Sequence, residues 1–412
     1  VTMRRALELS GYVTDAETGR PLVEFKAYPG YGEGEYAWER FDTRHGKEGQ
    51  FLVQFQEYRE PWRLRVEAEG YAPFVSDPIP PEFTGTLPVA LQRLDPARAV
   101  RGVVWRPDRQ PAAGAEVALL TLEHSATLKG SGFRHDAADQ LIVKADAHGH
   151  FSFGPDPRAH TVVAISPDGF ARVRVQDPRK ALNVVLEPWG RIEGLLDADV
   201  RAVPVESIVL NGFSSQPQGE LRFDFNAVRP DEAGRFVFEL VPPESLCLYL
   251  NSGVGRSYHH RTLVTVLPGQ TASVVLTNSG WRLKGRFTLP EGREAKGFKQ
   301  VVAYLNNRVP PVPTPEGLSG DAARLWLMDF ENSAAGRQRT LNSHGLNIKP
   351  NADGGFETDE SLPSGDYRLL VVVDSSVRLE RPITLAAPAE GTPGFYDLGV
   401  IAIPAGTPGA GQ

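Results

Sequence analysis

Four segments of the 412-residue chain begin alike, with an apolar residue, a variable one and a glycine that leads into a strand-like run: LSGYVTD, VRGVVWR, IEGLLDA and LKGRFTL. Their glycines, Gly11, Gly102, Gly194 and Gly285, lie 91, 92 and 91 residues apart. A fixed period is the signature of tandem modules, and this one has the length of a domain rather than of a solenoid unit. A second landmark recurs in each copy, a glycine two positions before a phenylalanine: Gly49/Phe51, Gly149/Phe151, Gly234/Phe236 and Gly354/Phe356. Alternating segments follow (WRLRVEAEGY, TVVAISPDGF, LCLYLNSGVG, YRLLVVVDSS), and each copy closes on a short apolar run, LPVALQ, LNVVLEP, ASVVLTN or DLGVIAIP.

This order predicts an all-β chain of four tandem antiparallel β-sandwiches, each of about seven strands with one face of each sheet buried. Many short Val, Leu and Phe runs, with 41 glycines and 34 prolines, support strands punctuated by turns. The expected domains are 6–94, 95–187, 188–278 and 279–404, followed by a disordered tail at 405–412. A module of about 90 residues buries roughly 60 to 65% of its unfolded surface, enough to fold without disulfides. Linkers such as RLDPARA and EPWGR are short and partly proline-stiffened, so neighbouring modules are expected to touch or to hold a restricted angle.

The stretch KADAHGHFSF places Asp146, His148 and His150 within five positions, which suggests a metal site. The repeat gives another reading. DAHGHF aligns with DEAGRF and NADGGF, where Ala233 and Arg235, or Asp353 and Gly355, stand in place of the histidines. Asp or Asn followed by Gly between apolar strands is hairpin chemistry. His148 and His150 are therefore read as exposed turn residues rather than ligands, since a third fixed partner is missing.

If the scaffold repeats, function belongs to what does not repeat. In the first copy YPGYGEGEYAWERF gathers Tyr28, Tyr31, Tyr36, Trp38 and Phe41, and Tyr31, Tyr36 and Trp38 are the candidate ligand-binding residues. Rigid aromatic faces with polar tips suit sugar rings or peptides. Glu33, Glu35 and Glu39 in the same segment are the acids a glycan-processing hydrolase would use, provided two of them faced each other across a cleft. The second copy inserts LEHSATLKGSGFRHDAADQ, with His124 and His135 but without the GxSxG elbow of a serine nucleophile. His259 and His260 of the third copy are adjacent and point to opposite faces of a strand. The fourth copy has the longest insert, 69 residues between its two landmark glycines against 38, 47 and 40 in the others. Within it a helix is expected near 319–332, with Ser319 as its cap and Ala322, Leu325, Trp326 and Phe330 on one face, packed on the fourth sandwich or the third. A docking surface for another domain is the functional alternative for that stripe.

Composition excludes several classes. Forty-four basic and 51 acidic residues leave a formal charge of −7, and no basic run supplies a nucleic-acid footprint. Cys247 is the single cysteine, which rules out an intrachain disulfide or a thiolate metal cluster, and in LCLYL it reads as a small buried apolar residue. No run approaches a membrane span, and VTMRRALELSG lacks the apolar core of a signal peptide.

GYVTDAETGRPLVEFKAY with the later GQF, RVEAEGY and closing strand resembles the carboxypeptidase regulatory-like domain, a transthyretin-like (prealbumin-like) β-sandwich. GVVWRPDRQPAAGAEVALL in the second copy resembles it as well, the third copy more loosely, and LPSGDYRLLVVV in the fourth resembles the family's approach to a later strand. The resemblance covers most of residues 6–404 and its motifs are structural. It implies a non-catalytic binding, spacer or scaffold role in a bacterial envelope or exterior protein, located outside the cytoplasm. The partners implied are a protein or polysaccharide of the envelope, with no cofactor. HExxH is absent and the one HxxE match, His45 to Glu48, falls in the turn before GQF, so the family name brings no peptidase activity. An array of carbohydrate-binding modules using the first-copy aromatics is the alternative.

Overall fold

The computed structural model describes residues 7–31, 37–38, 44–55, 62–80, 82–135, 140–197, 205–213, 219–223, 227–252, 257–277, 280–290, 297–307, 309–310, 312–318, 320–373, 376–387 and 394–404. The second, third and fourth copies are each a three-stranded sheet against a four-stranded one. In the second copy the smaller sheet is His150–Pro155, Ala99–Trp105 and Leu182–Val185 in spatial order. The larger is Ile142–Lys144, Glu116–Thr121, Ala159–Ser166 and Gly169–Arg174. The third and fourth copies repeat this arrangement, and in the first a short strand, Arg44–Lys47, joins the two halves into one sheet. The sandwiches are antiparallel except in one respect: the opening and closing strands of every copy pair in parallel, as in Leu7–Asp15 with Thr86–Leu91.

Each copy has its own apolar centre, around Phe55 and Leu64, Val104 and Val162, Ile192 and Phe238, and Phe287 and Leu369. The two landmarks of the sequence meet inside these centres. Gly11 is the cross-strand partner of Phe51, Gly102 of Phe151, Gly194 of Phe236 and Gly285 of Phe356. Each phenylalanine ring lies over its glycine: a methyl group there would fall 2.1, 2.9, 1.9 and 2.8 Å from ring atoms, inside contact distance. The glycine is thus fixed by close approach of a ring, a device by which aromatics cover glycines in sheets.

A fifth apolar cluster lies between copies two and three. It forms because Glu116–Thr121 and Ala159–Ser166 are apolar on both faces: Val117, Leu119, Val162 and Ala164 enter the second core, while Ala118, Leu120, Val163 and Ile165 face out. Leu221 of the third copy covers them, and its strand Leu221–Phe223 pairs in parallel with Ala126–Lys129 of the second. Trp189 of the linker packs on Phe170 and donates its indole N–H to Ser166 O at 2.8 Å. Copies two and three therefore share a core, and their contact is more than a touch at the linker.

The insert of the fourth copy forms two helices, Gly320–Asn332 and Ala334–Leu341, the second capped by Ser333, whose hydroxyl accepts from the Gly336 amide. The expected contact with the third copy is present, but the expected face needs correction. The buried face runs through Met328 rather than along the expected stripe, and Ala322 is exposed, while Trp326 and Phe330 stack on each other at 5.6 Å and stay half-buried. Met328 meets Gly219, Arg324 donates to Leu122 O at 3.0 Å, and Arg174 pairs with Asp329 at 3.1 Å, so the first helix lies on copies two and three. The second helix is held by Arg261 of the third copy, which donates to Thr340 O and Ser343 O. Sequence periodicity misplaced the face because two of the helix's anchors, Arg324 and Asp329, are charged. Ser319 and the tail lie outside the described residues.

Candidate inter-module site

The turn that carries His148 and His150 is scaffold. Asp146 Oδ1 accepts from the amides of His148 and His150, both at 2.8 Å, and Gly149 adopts φ 80°. Asp231 Oδ1 does the same for Ala233 and Arg235, at 3.0 and 2.7 Å, with Gly234 at φ 81°. In the fourth copy Asp353 accepts from Gly355 and Gly354 takes φ 86°. One carboxylate oxygen thus fastens the hairpin in three copies, whatever side chains flank it. Both histidine rings are exposed or at the surface, and His150 Nδ1 reaches Asp146 Oδ2 at 3.4 Å.

Of the aromatic candidates, Tyr31 ends the strand Glu24–Tyr31 and Trp38 ends the two-residue strand Ala37–Trp38. The backbone pairing sets Gly30 opposite Trp38 and Tyr31 opposite Ala37. Tyr36, Phe41, Glu33, Glu35 and Glu39 lie outside the described residues. Tyr28 is buried and bonds Glu67, which removes it from any exposed platform. His124 Nδ1 is paired with the Thr121 hydroxyl at 2.9 Å, His135 Nε2 with Glu116 at 2.9 Å, and the Ser125 hydroxyl accepts from the Gly219 amide. Cys247 is fully buried, and burial pushes its thiol up to about 11.

What the second-copy insert does place is Glu123. The tight turn after Glu116–Thr121, closed by mutual backbone bonds of Thr121 and His124, turns its side chain inward, where it is 5% exposed. Three guanidiniums from three copies converge on its Oε1: Arg65 at 3.0 Å, Arg158 at 3.3 Å and Arg324 at 3.8 Å. Arg65, 2% exposed, also binds Glu67 at 2.6 Å. Burial works against its charge, but Tyr28, Glu123 and Glu67 outweigh that and hold the guanidinium more firmly protonated than usual. Glu67 is in turn disfavoured as an anion by burial, yet Arg65 and the Tyr28 hydroxyl keep its carboxyl below the usual range. With Asp156, 3.7 Å from Arg158, three carboxylates face three guanidiniums, and such pairing is the condition under which buried ions are tolerated. A polar cleft of about 470 Å³ opens beside it, lined by Glu24, Lys26, Glu67, Tyr71, His124 and Arg158.

A second buried titratable group guards the contact with copy three. The ladder between Glu116–Thr121 and Ala159–Ser166 shifts register at Leu120/Thr121, and His160 is the extra residue, 4% exposed, with Nδ1 2.9 Å from the Thr161 hydroxyl. Burial first, and the charge of Arg174 next, push its pKa down to about 4, which backbone groups of Thr121 and Gly219 only partly offset. The folded state thus keeps His160 neutral where the unfolded chain, with a pKa near 6.5, takes up a proton. Stability is whole above pH 6.5 and falls as pH drops toward 4, by up to about 3 kcal/mol. In His160→Gln this part of the acid sensitivity should vanish in urea titrations run from pH 7 to 4; an unchanged slope would show that His160 is not its source.

No protein-family model matches the chain, and no curated protein matches it. Among solved structures it is similar to the Bacillus anthracis TIE protein, at 8% identity over 98% of this chain and 76% of that one, with a TM-score of 0.19. A streptococcal ancillary pilin is matched at 10% identity over 65% of this chain and 99% of the other, with a TM-score of 0.20. The shaft pilin of Lactobacillus rhamnosus GG is matched at 12% identity over 44% and 97%, again with a TM-score of 0.20. Identities and scores this low assign no role to any residue. Among the described residues no helix is long and apolar enough to cross a membrane.

Proposed function

We propose that the chain is a non-catalytic scaffold that holds four domains, 6–94, 95–187, 188–278 and 279–404, in one fixed arrangement. The convergence of Arg65, Arg158 and Arg324 on Glu123 carries this reading, because it ties copies one, two and four through a single buried carboxylate. The shared core of copies two and three supports it. We take the modules to be of the carboxypeptidase regulatory-like kind, acting outside the cytoplasm as a spacer or binding segment toward envelope protein or polysaccharide. Small-angle scattering tests the fixed arrangement: one scattering profile, unchanged between low and moderate salt, is expected, and a profile of independently moving beads would refute it.

A second reading keeps a place because the backbone brings Tyr31 and Trp38 to adjacent rungs of one short pairing. In it these two and Tyr36 bind a glycan or peptide. A ligand array probed with the native chain and Trp38→Ala decides: binding lost on substitution supports the reading, and no binding by the native chain removes it.

A further inference from the structure

We propose that the crevice where copies two and three meet the helical insert is a binding site for a small ligand with one carboxylate and several hydroxyls, the chemistry of an acidic sugar unit. The cavity measures about 400 Å³, within the range of small-molecule sites, and lies at a boundary between domains, where such sites concentrate. Three arginines line it from three directions: Arg172 on the strand Gly169–Arg174, Arg222 on Leu221–Phe223 and Arg337 on the second helix. Glu220 and Glu244 line it as well, so the formal charge of the crevice is one positive.

That balance selects the ligand. A multiply charged anion would meet two carboxylates, whereas one carboxylate matches the single excess guanidinium, which can grip it through two parallel N–H bonds. Arg172 donates Nη2 to Glu244 at 3.1 Å, and its Nε is buried without a hydrogen-bond partner among the described residues. A buried donor left unsatisfied is costly, and a ligand oxygen would satisfy it. Hydroxyls find acceptors in Glu220 and Glu244 and mixed donors and acceptors in Asn211 and Asn332. The half-buried Phe223 adds the apolar face against which a sugar ring lies. Glu220 is already touched by Asn332 at 3.4 Å, and Arg337 is held by donation to Asn332 O at 2.8 Å, so the groups are positioned before a ligand arrives.

The proposal deepens the scaffold reading by giving it a ligand class, and it fails separately, because scattering judges the scaffold and calorimetry judges the crevice. Titration of the full chain with glucuronate, glucose and inorganic phosphate is the test. Glucuronate should bind with a dissociation constant below about 1 mM, glucose and phosphate at least about tenfold more weakly. Arg172→Met and Arg337→Met should each weaken glucuronate about tenfold or more while circular dichroism stays native; should Arg172→Met fail to fold, Arg337→Met decides alone. Absence of glucuronate binding, equal binding of phosphate, or affinity untouched by Arg337→Met would each overturn it.

Discussion

Exchanging Glu123 for glutamine should cost about 3 kcal/mol and free the first copy from the rest of the chain. The substitution keeps the shape and removes the charge, leaving Arg65, at 2% exposure, with Glu67 as its remaining carboxylate partner in the cluster. Breaking a buried pair by neutralising one member typically costs 3 to 5 kcal/mol, because the other charge stays desolvated. The low end applies here since Glu67 remains, and since water reaches Arg158 and Arg324 and discounts their share. Scattering should show the first copy moving independently, and proteolysis should cut near Leu94. An unchanged profile would mean that the cluster is a passenger at an interface held by other forces.

An equally large effect should follow Gly102→Ala in the second copy, about 3 kcal/mol. Its added methyl would sit 2.3 Å from Leu182 O on the closing strand and 2.9 Å from the Phe151 ring. Backbone cannot withdraw without breaking the parallel pairing, and overpacking of this kind costs 1 to 3 kcal/mol or more. Amide exchange in Ala99–Trp105 should accelerate about a hundredfold, the equivalent of that loss. Gly194 offers a control. There the close atoms all belong to Phe236, the nearest at 1.9 Å, so Phe236→Leu should recover part of the damage done by Gly194→Ala. Failure of that rescue would show that the ring is not what excludes a side chain at the position.

Much of the fold was legible because the repeat fixes it: glycines spaced by 91 or 92 residues and an Asx-Gly hairpin in each later copy are local signals. That the two landmarks touch was not legible, since the contact depends on register between strands about 40 residues or more apart. Parallel pairing of the end strands was hidden for the same reason. The shared core did leave a trace. VALL and VVAI are continuous apolar runs, the mark of strands buried on both faces, where WRLRVE of the first copy alternates. The alternation expected of TVVAISPDGF gives way there to burial on both faces. The junction at Glu123 left little trace, because a lone acid in a polar insert looks like any solvated residue until three arginines are brought to it. The candidate aromatics remain a proposal, with Tyr36 outside the described residues.

The parallel union of opening and closing strands bears on how this chain carries tension. Pulled apart at its termini, a module whose end strands run side by side in the same direction is loaded along those strands, and the whole row of hydrogen bonds must slide together instead of unzipping singly. Four such units in series would make a tether that yields in discrete, high-force steps, and single-molecule stretching that found gradual low-force extension would show that the strands are not loaded this way.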